Sequence, residues 1–251
     1  MKPIYAMPLL CAFITPVWAA DVPASLYWSQ RVELATNVSG VVQSVSANVG
    51  ERVKKGQVLA TLDASGFQAQ VAESQAVIAR YKEDQLDAKR NLERLEELYK
   101  RQVLATAELE AGQTRLARVT AQLSESQAHL RRTQKTLGDA TLRAPFDALV
   151  LARQVEPGQV VASQLQPPTL FVIARAGEMV ARARVNLAQV EKLKIGDAVT
   201  VDVNQQSYNG KIKLLGLEPV GEKSDAGYPV EVLFPDKELL RAGAPAVVKL
   251  P

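Results

Sequence analysis

Residues 109–137, which read LEAGQTRLARVTAQLSESQAHLRRTQKTL, carry the pattern that decides the fold. Leucines recur every seven residues along this stretch: Leu109, Leu116, Leu123, Leu130 and Leu137. The intervening seam positions of the same heptad series are Gly112, Val119, Ser126 and Thr133. A seven-residue apolar repeat keeps one face of a helix against a partner helix as the two supercoil. The stretch therefore predicts a helix that packs along its length against another helix.

A second heptad series precedes the first. Its positions alternate in steps of four and three residues: Phe67, Val71, Ser74, Ile78, Tyr81, Gln85, Ala88, Leu92, Leu95 and Tyr99. The pattern breaks only between Gln102 and Thr106, and short connections join antiparallel helices. We predict an antiparallel coiled-coil hairpin over residues 64–139, with arms about 50–60 Å long at the helical rise per residue. An ordinary helical bundle is the alternative, but the chain has no third long heptad segment to complete one.

Composition narrows the classes of function. Only 5% of the 251 residues are aromatic, which favours a coiled coil with small β domains over one large core. The net charge of +3 is too balanced to indicate a nucleic-acid partner. His129 is the only histidine and Cys11 the only cysteine, and no metal-ligand spacing or phosphate-binding loop stands out. We predict a protein that is not an enzyme and has no cofactor or metal.

Residues 1–20 have the pattern of a secretory signal peptide. Lys2 precedes a short apolar run, and Val17 and Ala19 are small residues at the −3 and −1 positions of a cleavage site. The run is too short and too interrupted by proline for a membrane-spanning helix. We predict export and cleavage after Ala19 or Ala20, with a retained signal anchor as the alternative.

The hairpin is flanked by two similar valine-rich segments. Residues 40–63, GVVQSVSANVGERVKKGQVLATLD, predict short strands joined by tight turns. The glycines predicted to shape these turns in the two segments are Gly40, Gly50, Gly56 and Gly158. Ala148 stands ten residues before Gly158, as Gly40 stands ten before Gly50. Each half is too small to bury its apolar face, so we predict that residues 37–63 and 140–173 form one β-sandwich into which the hairpin is inserted.

These segments resemble the lipoyl-like halves of HlyD-type membrane fusion proteins, the periplasmic adaptors of tripartite efflux pumps. Residues 141–147, TLRAPFD, match the start of the second half in that family, T-x-x-A-P-F-D-G, and the chain departs from it at Ala148. The resemblance implies an elongated, multi-domain α+β protein. It would combine a split lipoyl-like β-sandwich, an inserted α-helical hairpin and a small β-barrel.

The barrel is assigned to residues 25–36 and 174–251. Residues 179–185 and 228–234 alternate between apolar and polar side chains, as expected of half-buried strands. Residues 187–193 predict a short helical turn that ends before Gly196. Little sequence follows the barrel, so we expect the additional membrane-proximal domain of many family members to be reduced or absent.

The hairpin tip carries a partial match to a docking pattern. Family members that bind TolC-type outer-membrane channels resemble one another at Arg-x3-Leu-x6-Ser, which falls here on Arg94, Leu98 and Ala105, with Thr106 adjacent. The resemblance implies that these four residues contact the channel. Arg94 offers a forked donor and Leu98 an apolar side chain, and we predict that Thr106 caps the second helix. Alternatively, Arg94 pairs with a neighbour such as Glu97, and Leu98 only supports the seam.

The resemblance implies a non-catalytic periplasmic adaptor. It would link an inner-membrane transporter, of the resistance–nodulation–division class by preference or of the ATP-driven class, to the outer-membrane channel, with several copies in a ring. One alternative is a stand-alone periplasmic coiled-coil scaffold. The other is a biotinyl or lipoyl carrier, but the hairpin replaces the turn that would hold the modified lysine, and residues 63–66 and 139–141 contain no lysine.

Overall fold

A computed structural model describes residues 20–163, 167–221, 226–236 and 239–250. The predicted signal peptide lies outside the described residues, apart from Ala20. The chain divides into two compact units, one formed by residues 31–174 and the other by the segments before and after them. In the described part of the chain, no helix combines the length and apolarity needed to cross a membrane.

The described elements are mostly strands, with two long helices in the middle of the chain and one short helix later in the chain. In the first half of the chain they are β1 (Ala20–Trp28), β2 (Arg31–Leu34), β3 (Gly40–Val45), β4 (Arg52–Val53), β5 (Val58–Leu62) and α1 (Ser65–Lys100). The middle contains α2 (Thr106–Asp139), β6 (Thr141–Arg143), β7 (Ala148–Arg153), β8 (Val160–Val161) and β9 (Phe171–Arg175). The remainder contains β10 (Glu178–Val185), α3 (Leu187–Val190), β11 (Ala198–Val203), β12 (Gln206–Leu215), β13 (Tyr228–Pro235) and β14 (Pro245–Leu250).

The unit of residues 31–174 contains two four-stranded sheets, β2-β9-β7-β4 and β6-β5-β3-β8. The two repeat halves exchange a strand, because β4 pairs with β7 and β8 pairs with β3. The main-chain bonds are reciprocal: Gly50 donates to the carbonyl of Val150, and Gly158 donates to that of Val42, both at 2.8 Å. The predicted internal repeat is therefore one interlocked sandwich.

Three of the four predicted turn glycines adopt the left-handed conformation that their turns require. Their φ angles are 85° at Gly50, 82° at Gly56 and 85° at Gly158. The prediction that Gly40 shapes a turn needs correction, because this residue lies in a strand. It is the first residue of β3 and pairs with Val161, because the chain is already extended there.

Ala148, where the chain departs from the family glycine, occupies the place in β7 that Gly40 occupies in β3. It pairs with Val53 and is fully buried. A methyl group is also compatible with the Gly40 site, where a Cβ would lie 3.6 Å from Leu62 Cβ, an ordinary contact. Alanine in place of the family glycine at position 148 therefore leaves the strand pairing intact.

The predicted helical hairpin is confirmed. Helix α1 has 36 residues and α2 has 34, so the arms are about 54 and about 51 Å long. Both arms start from neighbouring strands, since β5 pairs with β6 through Thr61 and Thr141, and Leu62 donates to the carbonyl of Ala140 at 2.8 Å. Adjacent attachment points require the two helices to run antiparallel.

The heptad positions form the contact between the arms. The residues that are buried in the two helices all belong to the predicted seam: Ser74, Ile78, Ala88, Gly112 and Leu123. Most other seam side chains are half-buried. Polar seam residues have partners, because the Ser74 hydroxyl donates to the carbonyl of Gln70 at 2.8 Å and Gln85 donates across the arms to Thr120 at 2.9 Å. The seam is continuous but only partly covered, as a pair of helices without further neighbours must be.

The second unit is a closed six-stranded barrel in the order β1-β10-β13-β12-β11-β14. Alternate residues of these strands point inwards, and the core includes Leu26, Met179 and Phe234. The prediction that residues 25–36 belong to the barrel needs correction, because the two strands of this segment lie in different sheets. Strand β1 joins the barrel, whereas β2 pairs with β9 in the sandwich sheet. Alternating apolar residues predict a strand but do not specify its partner, and the chain turns between the two strands.

Candidate docking surface at the hairpin tip

The first helix of the hairpin ends in a Schellman motif. The main-chain N–H of Gln102 donates to the carbonyl of Tyr99 at 2.9 Å, and that of Val103 donates to Leu98 at 3.2 Å. Gln102 has φ of 60°, the left-handed conformation that glycine adopts without strain. The tip is therefore closed by a tight turn in which Gln102 adopts a backbone conformation that residues with a side chain disfavour.

Apolar side chains are exposed around this turn. Leu98 is 36% exposed, Tyr99 41% and Val103 68%. Leu98 and Val103 occupy the two positions of the Schellman motif that commonly make a hydrophobic contact. Exposed apolar side chains grouped at one place on a protein surface are typical of an interaction site.

Arg94 is exposed and lies one helical turn before Leu98. Its Nη2 donates to Asn91 Oδ1 at 2.5 Å, and no carboxylate of the described residues lies within ion-pair distance of it. Glu97 instead accepts a bond from Lys100 at 2.9 Å, which lowers the pKa of Glu97 and raises the pKa of Lys100. The pairing of Arg94 with Glu97 is therefore absent, and most guanidinium donors of Arg94 face solvent.

Arg94 also borders a polar depression of about 310 Å³ on the side of the hairpin. The depression is lined by Asp87, Arg90, Asn91, Arg94 and Arg115. Arg115 reaches Asp87 on the other arm at 3.6 Å, the one carboxylate among these lining residues. The excess of guanidinium groups suits a partner that presents carboxylates or main-chain carbonyls.

The second helix starts without a side-chain cap. Ala105 is the N-cap residue, with φ of −72° and ψ of 145°, and no side chain accepts a bond from the first turn. The prediction that Thr106 caps α2 is wrong, because Thr106 is the first helical residue and lies one position beyond the capping site. Glu108 in the first turn supplies only a favourable charge near the helix dipole.

Two features near the tip were not predicted from the sequence. Val103 is the most exposed of the apolar residues there, and its place inside the heptad break could have identified it. Gly112 faces Leu95 across the seam, where a Cβ would lie 2.7 Å from Leu95 Cδ1. The heptad spacing marks Gly112 as a seam position, but only the structure shows that its missing side chain makes room for Leu95.

The described residues contain no cluster of three or more histidine, cysteine, aspartate or glutamate side chains that could hold a metal ion. The side chains exposed at the tip offer apolar surface and guanidinium donors, which suit binding to another protein. The four residues that the sequence pattern selected are all exposed, with Arg94 and Leu98 in the last two turns of α1 and Ala105 and Thr106 at the start of α2.

Comparison with known proteins gives relatives for most of the chain. A family model described as CzcB-like, barrel-sandwich hybrid domain matches residues 30–175. The macrolide export protein MacA of Yersinia pestis is 28% identical over 66% of this chain and 49% of its own length. The cobalt-zinc-cadmium resistance protein CzcB of Cupriavidus metallidurans is 30% identical over 69% of this chain and 33% of its own length. The chain thus spans half or less of the length of these two curated relatives.

Solved structures show the same fold. The crystal structure of MacA from Actinobacillus actinomycetemcomitans superposes with a TM-score of 0.73 at 21% identity, over 92% of this chain and 78% of that one. The membrane fusion protein Spr0693 from Streptococcus pneumoniae R6 gives a TM-score of 0.70 at 13% identity, over 93% and 99% of the two chains. At these identities the likeness concerns the fold alone.

Proposed function

The chain belongs to the HlyD- and CzcB-like membrane fusion proteins, and from this premise we propose that it is the periplasmic adaptor of a tripartite efflux system. It would connect an inner-membrane transporter to a TolC-type outer-membrane channel without catalysing a reaction. The family is one of adaptors, and the relatives named above are an export protein and a resistance protein.

One observation carries the proposal. The hairpin leaves the sandwich between β5 and β6 and places its tip about 50 Å away along the helices. At that distance the tip presents exposed Leu98 and Val103 together with Arg94, which lacks a carboxylate partner among the described residues. This arrangement supports a contact with another protein at the far end of the arms.

The channel contact is proposed at Arg94, Leu98, Ala105 and Thr106. Arg94 would bind a carboxylate or main-chain carbonyl of the channel, and Leu98 would pack into an apolar site. Ala105 and Thr106 would contact the channel at the start of α2. We add Val103 to the proposed channel contact because it is the most exposed apolar side chain beside these residues.

Several copies of the chain are proposed to form a ring. The seam supports this arrangement, because many of its side chains remain half-exposed in a single hairpin. Neighbouring hairpins would cover more of that surface. The transporter is expected to belong to the resistance–nodulation–division or the ATP-driven class, and its identification after co-purification from inner membranes would choose between them.

Charge reversal at Arg94 tests the channel contact. We expect Arg94→Asp to reduce crosslinking to the outer-membrane channel at least about tenfold, since a hydrogen bond to a charged group contributes about 1.5–3 kcal/mol. Crosslinking yield in intact cells is the measurement, with circular dichroism to verify that the variant folds.

Arg118→Asp is the matched control, because Arg118 is an exposed arginine of α2 away from the tip. It makes the same change in net charge and should crosslink like the unaltered protein. Normal crosslinking of a folded Arg94→Asp variant would contradict the proposed contact and favour a scaffold that does not bind the channel.

A further inference from the structure

One end of the β-barrel exposes large apolar side chains on two connections, between β10 and β11 and between β12 and β13. Antiparallel pairing places the C-terminal ends of β10 and β12 beside the N-terminal ends of β11 and β13. The connections at this end carry Leu187, which is 52% exposed, Ile195, 71% exposed, and Leu217, 93% exposed. We call these three residues the barrel rim.

The rim residues are held by ordered main chain. Gly196, next to Ile195, donates to the carbonyl of Ile212 at 2.8 Å, and Gly216, next to Leu217, donates to that of Pro229 at 2.7 Å. The same segment also buries an apolar side chain, since Leu193 is 6% exposed and packs in the barrel core. The exposure of the rim is therefore a feature of how these loops are anchored.

Cationic groups accompany the apolar ones. Lys192 and Lys194 are exposed beside Ile195, and neither has an ion-pair partner among the described residues. Asp197, the nearest acid in the following turn, accepts the main-chain N–H of Lys194 at 2.8 Å. Two such ammonium groups beside an apolar side chain complement a layer of phosphates above hydrocarbon.

Glu191 and Glu218 are also exposed here and balance the two lysines, so net charge does not attract this end of the barrel to a partner. The apolar side chains must then supply most of the binding free energy. A leucine that is 93% exposed does not line a groove of its own chain, and the rim residues are spread over two loops with polar residues between them. Protein interfaces instead bury a contiguous apolar centre. A bilayer accepts such isolated side chains without a matching pocket.

A retained signal anchor, the alternative to cleavage, would enter the bilayer from this end of the barrel. Strand β1 starts at Ala20, which pairs with Leu250 at the same end of the barrel as the rim. The apolar residues 4–17 precede that point in the chain and form the predicted export signal. We infer that the barrel rim inserts into the interfacial region of a phospholipid bilayer. This contact goes beyond the proposed adaptor function and does not depend on the hairpin tip.

A local fluorescence measurement on the full chain tests the inference. Cys11 is the only cysteine, so Leu217→Cys in a Cys11→Ser background accepts one polarity-sensitive label. With vesicles of phosphatidylethanolamine and phosphatidylglycerol, we expect its emission to shift to the blue and to be quenched by nitroxide-labelled lipid. The same label at Val160→Cys is the control, because Val160 is also a largely exposed apolar residue, at 72%, and lies in the sandwich. The readout is local, so it reports on the rim whether or not residues 1–20 are retained.

A paired substitution measures the contribution of the rim. In the labelled protein, Ile195→Glu should reduce quenching of the Leu217 label about tenfold, as expected when one large apolar side chain leaves the bilayer. Val49→Glu, an acidic change at an exposed apolar residue of the sandwich, should leave quenching unchanged. A label at Leu217 that stays water-exposed with these vesicles would overturn the inference. So would a label that shifts only when inner-membrane proteins are added, because the rim would then bind protein.

Discussion

At the base of the helical hairpin, main-chain groups of both arms are bonded to the sandwich, whereas the main-chain bonds described at the tip stay within each helix end. Thr36 is 3% exposed and its hydroxyl lies 3.2 Å from the carbonyl of Asp139, the last residue of α2. At the tip, Ala105 supplies no cap, and Gln102 adopts a left-handed conformation. The base is thus tied to the sandwich by hydrogen bonds, and the tip is not.

This difference fits the proposed division of roles, in which the tip binds a partner and the base holds the hairpin in place. At the base, each hydrogen bond to the sandwich helps to fix the position of the two arms and so stabilises the hairpin. A tip that contacts another protein must keep apolar side chains in water and tolerates a poorly capped helix. Substitutions should therefore weaken the base readily, while some should strengthen the tip.

The largest loss of stability is expected from a substitution in the seam, which runs from the base of the hairpin to its tip. Gly112→Leu places a side chain where even a Cβ would lie 2.7 Å from Leu95 Cδ1. Overpacking of this kind should lower the free energy of unfolding by about 1–3 kcal/mol and increase hydrogen exchange in both arms. Gly138→Leu is the control, because a Cβ at Gly138 meets nothing within 4 Å. Equal effects of the two substitutions would mean that Gly112 has no special packing role.

A smaller loss is expected at the base. Thr36→Val removes the hydroxyl that bonds the carbonyl of Asp139 and accepts the N–H of Val38. Buried groups left without partners should cost about 1–1.5 kcal/mol. Thermal unfolding followed by circular dichroism measures the change, and Thr36→Ser, which keeps the hydroxyl, should recover most of it. A valine variant as stable as the parent would show that these bonds do not secure the hairpin.

The smallest effect, and one of opposite sign, is expected at the tip. Ala105→Ser provides an N-cap acceptor three residues before Glu108, which completes the pattern of a capping box. We expect a gain of about 0.5–1 kcal/mol, because the site is exposed. Amide hydrogen exchange in the first turn of α2 measures it. Ala107→Ser adds the same hydroxyl inside the helix and should bring no gain; a gain there would point to a cause other than capping.

Prediction from sequence worked where the signal is local and periodic. The heptads of residues 67–99 and 109–137 defined both arms, and the break between them was displaced by only one residue, from 102–106 to 101–105. The cap was assigned wrongly because a threonine beside the break is a good cap only if its backbone is extended. That conformation belongs to Ala105, and it depends on how the preceding turn closes.

The candidate site was predictable only in part. Arg94 and Leu98 were selected through the resemblance to the docking pattern of the family, and both are exposed in the structure. The hydrogen bond of Arg94 to Asn91, the bond between Glu97 and Lys100, and the basic depression between the arms depend on rotamers and on the partner helix. No linear pattern encodes which of several nearby acids an arginine meets.

The sequence by itself determined that two similar valine-rich halves flank a helical hairpin, because periodicity and turn glycines act over a few residues. Only the tertiary structure decided that the halves exchange β4 and β8, and that residues 25–36 are shared between barrel and sandwich. Strand partners are chosen by the burial of side chains from distant parts of the chain. An alternating strand such as β2 offers the same pattern to every possible neighbour, so its place is settled only when the whole core is packed.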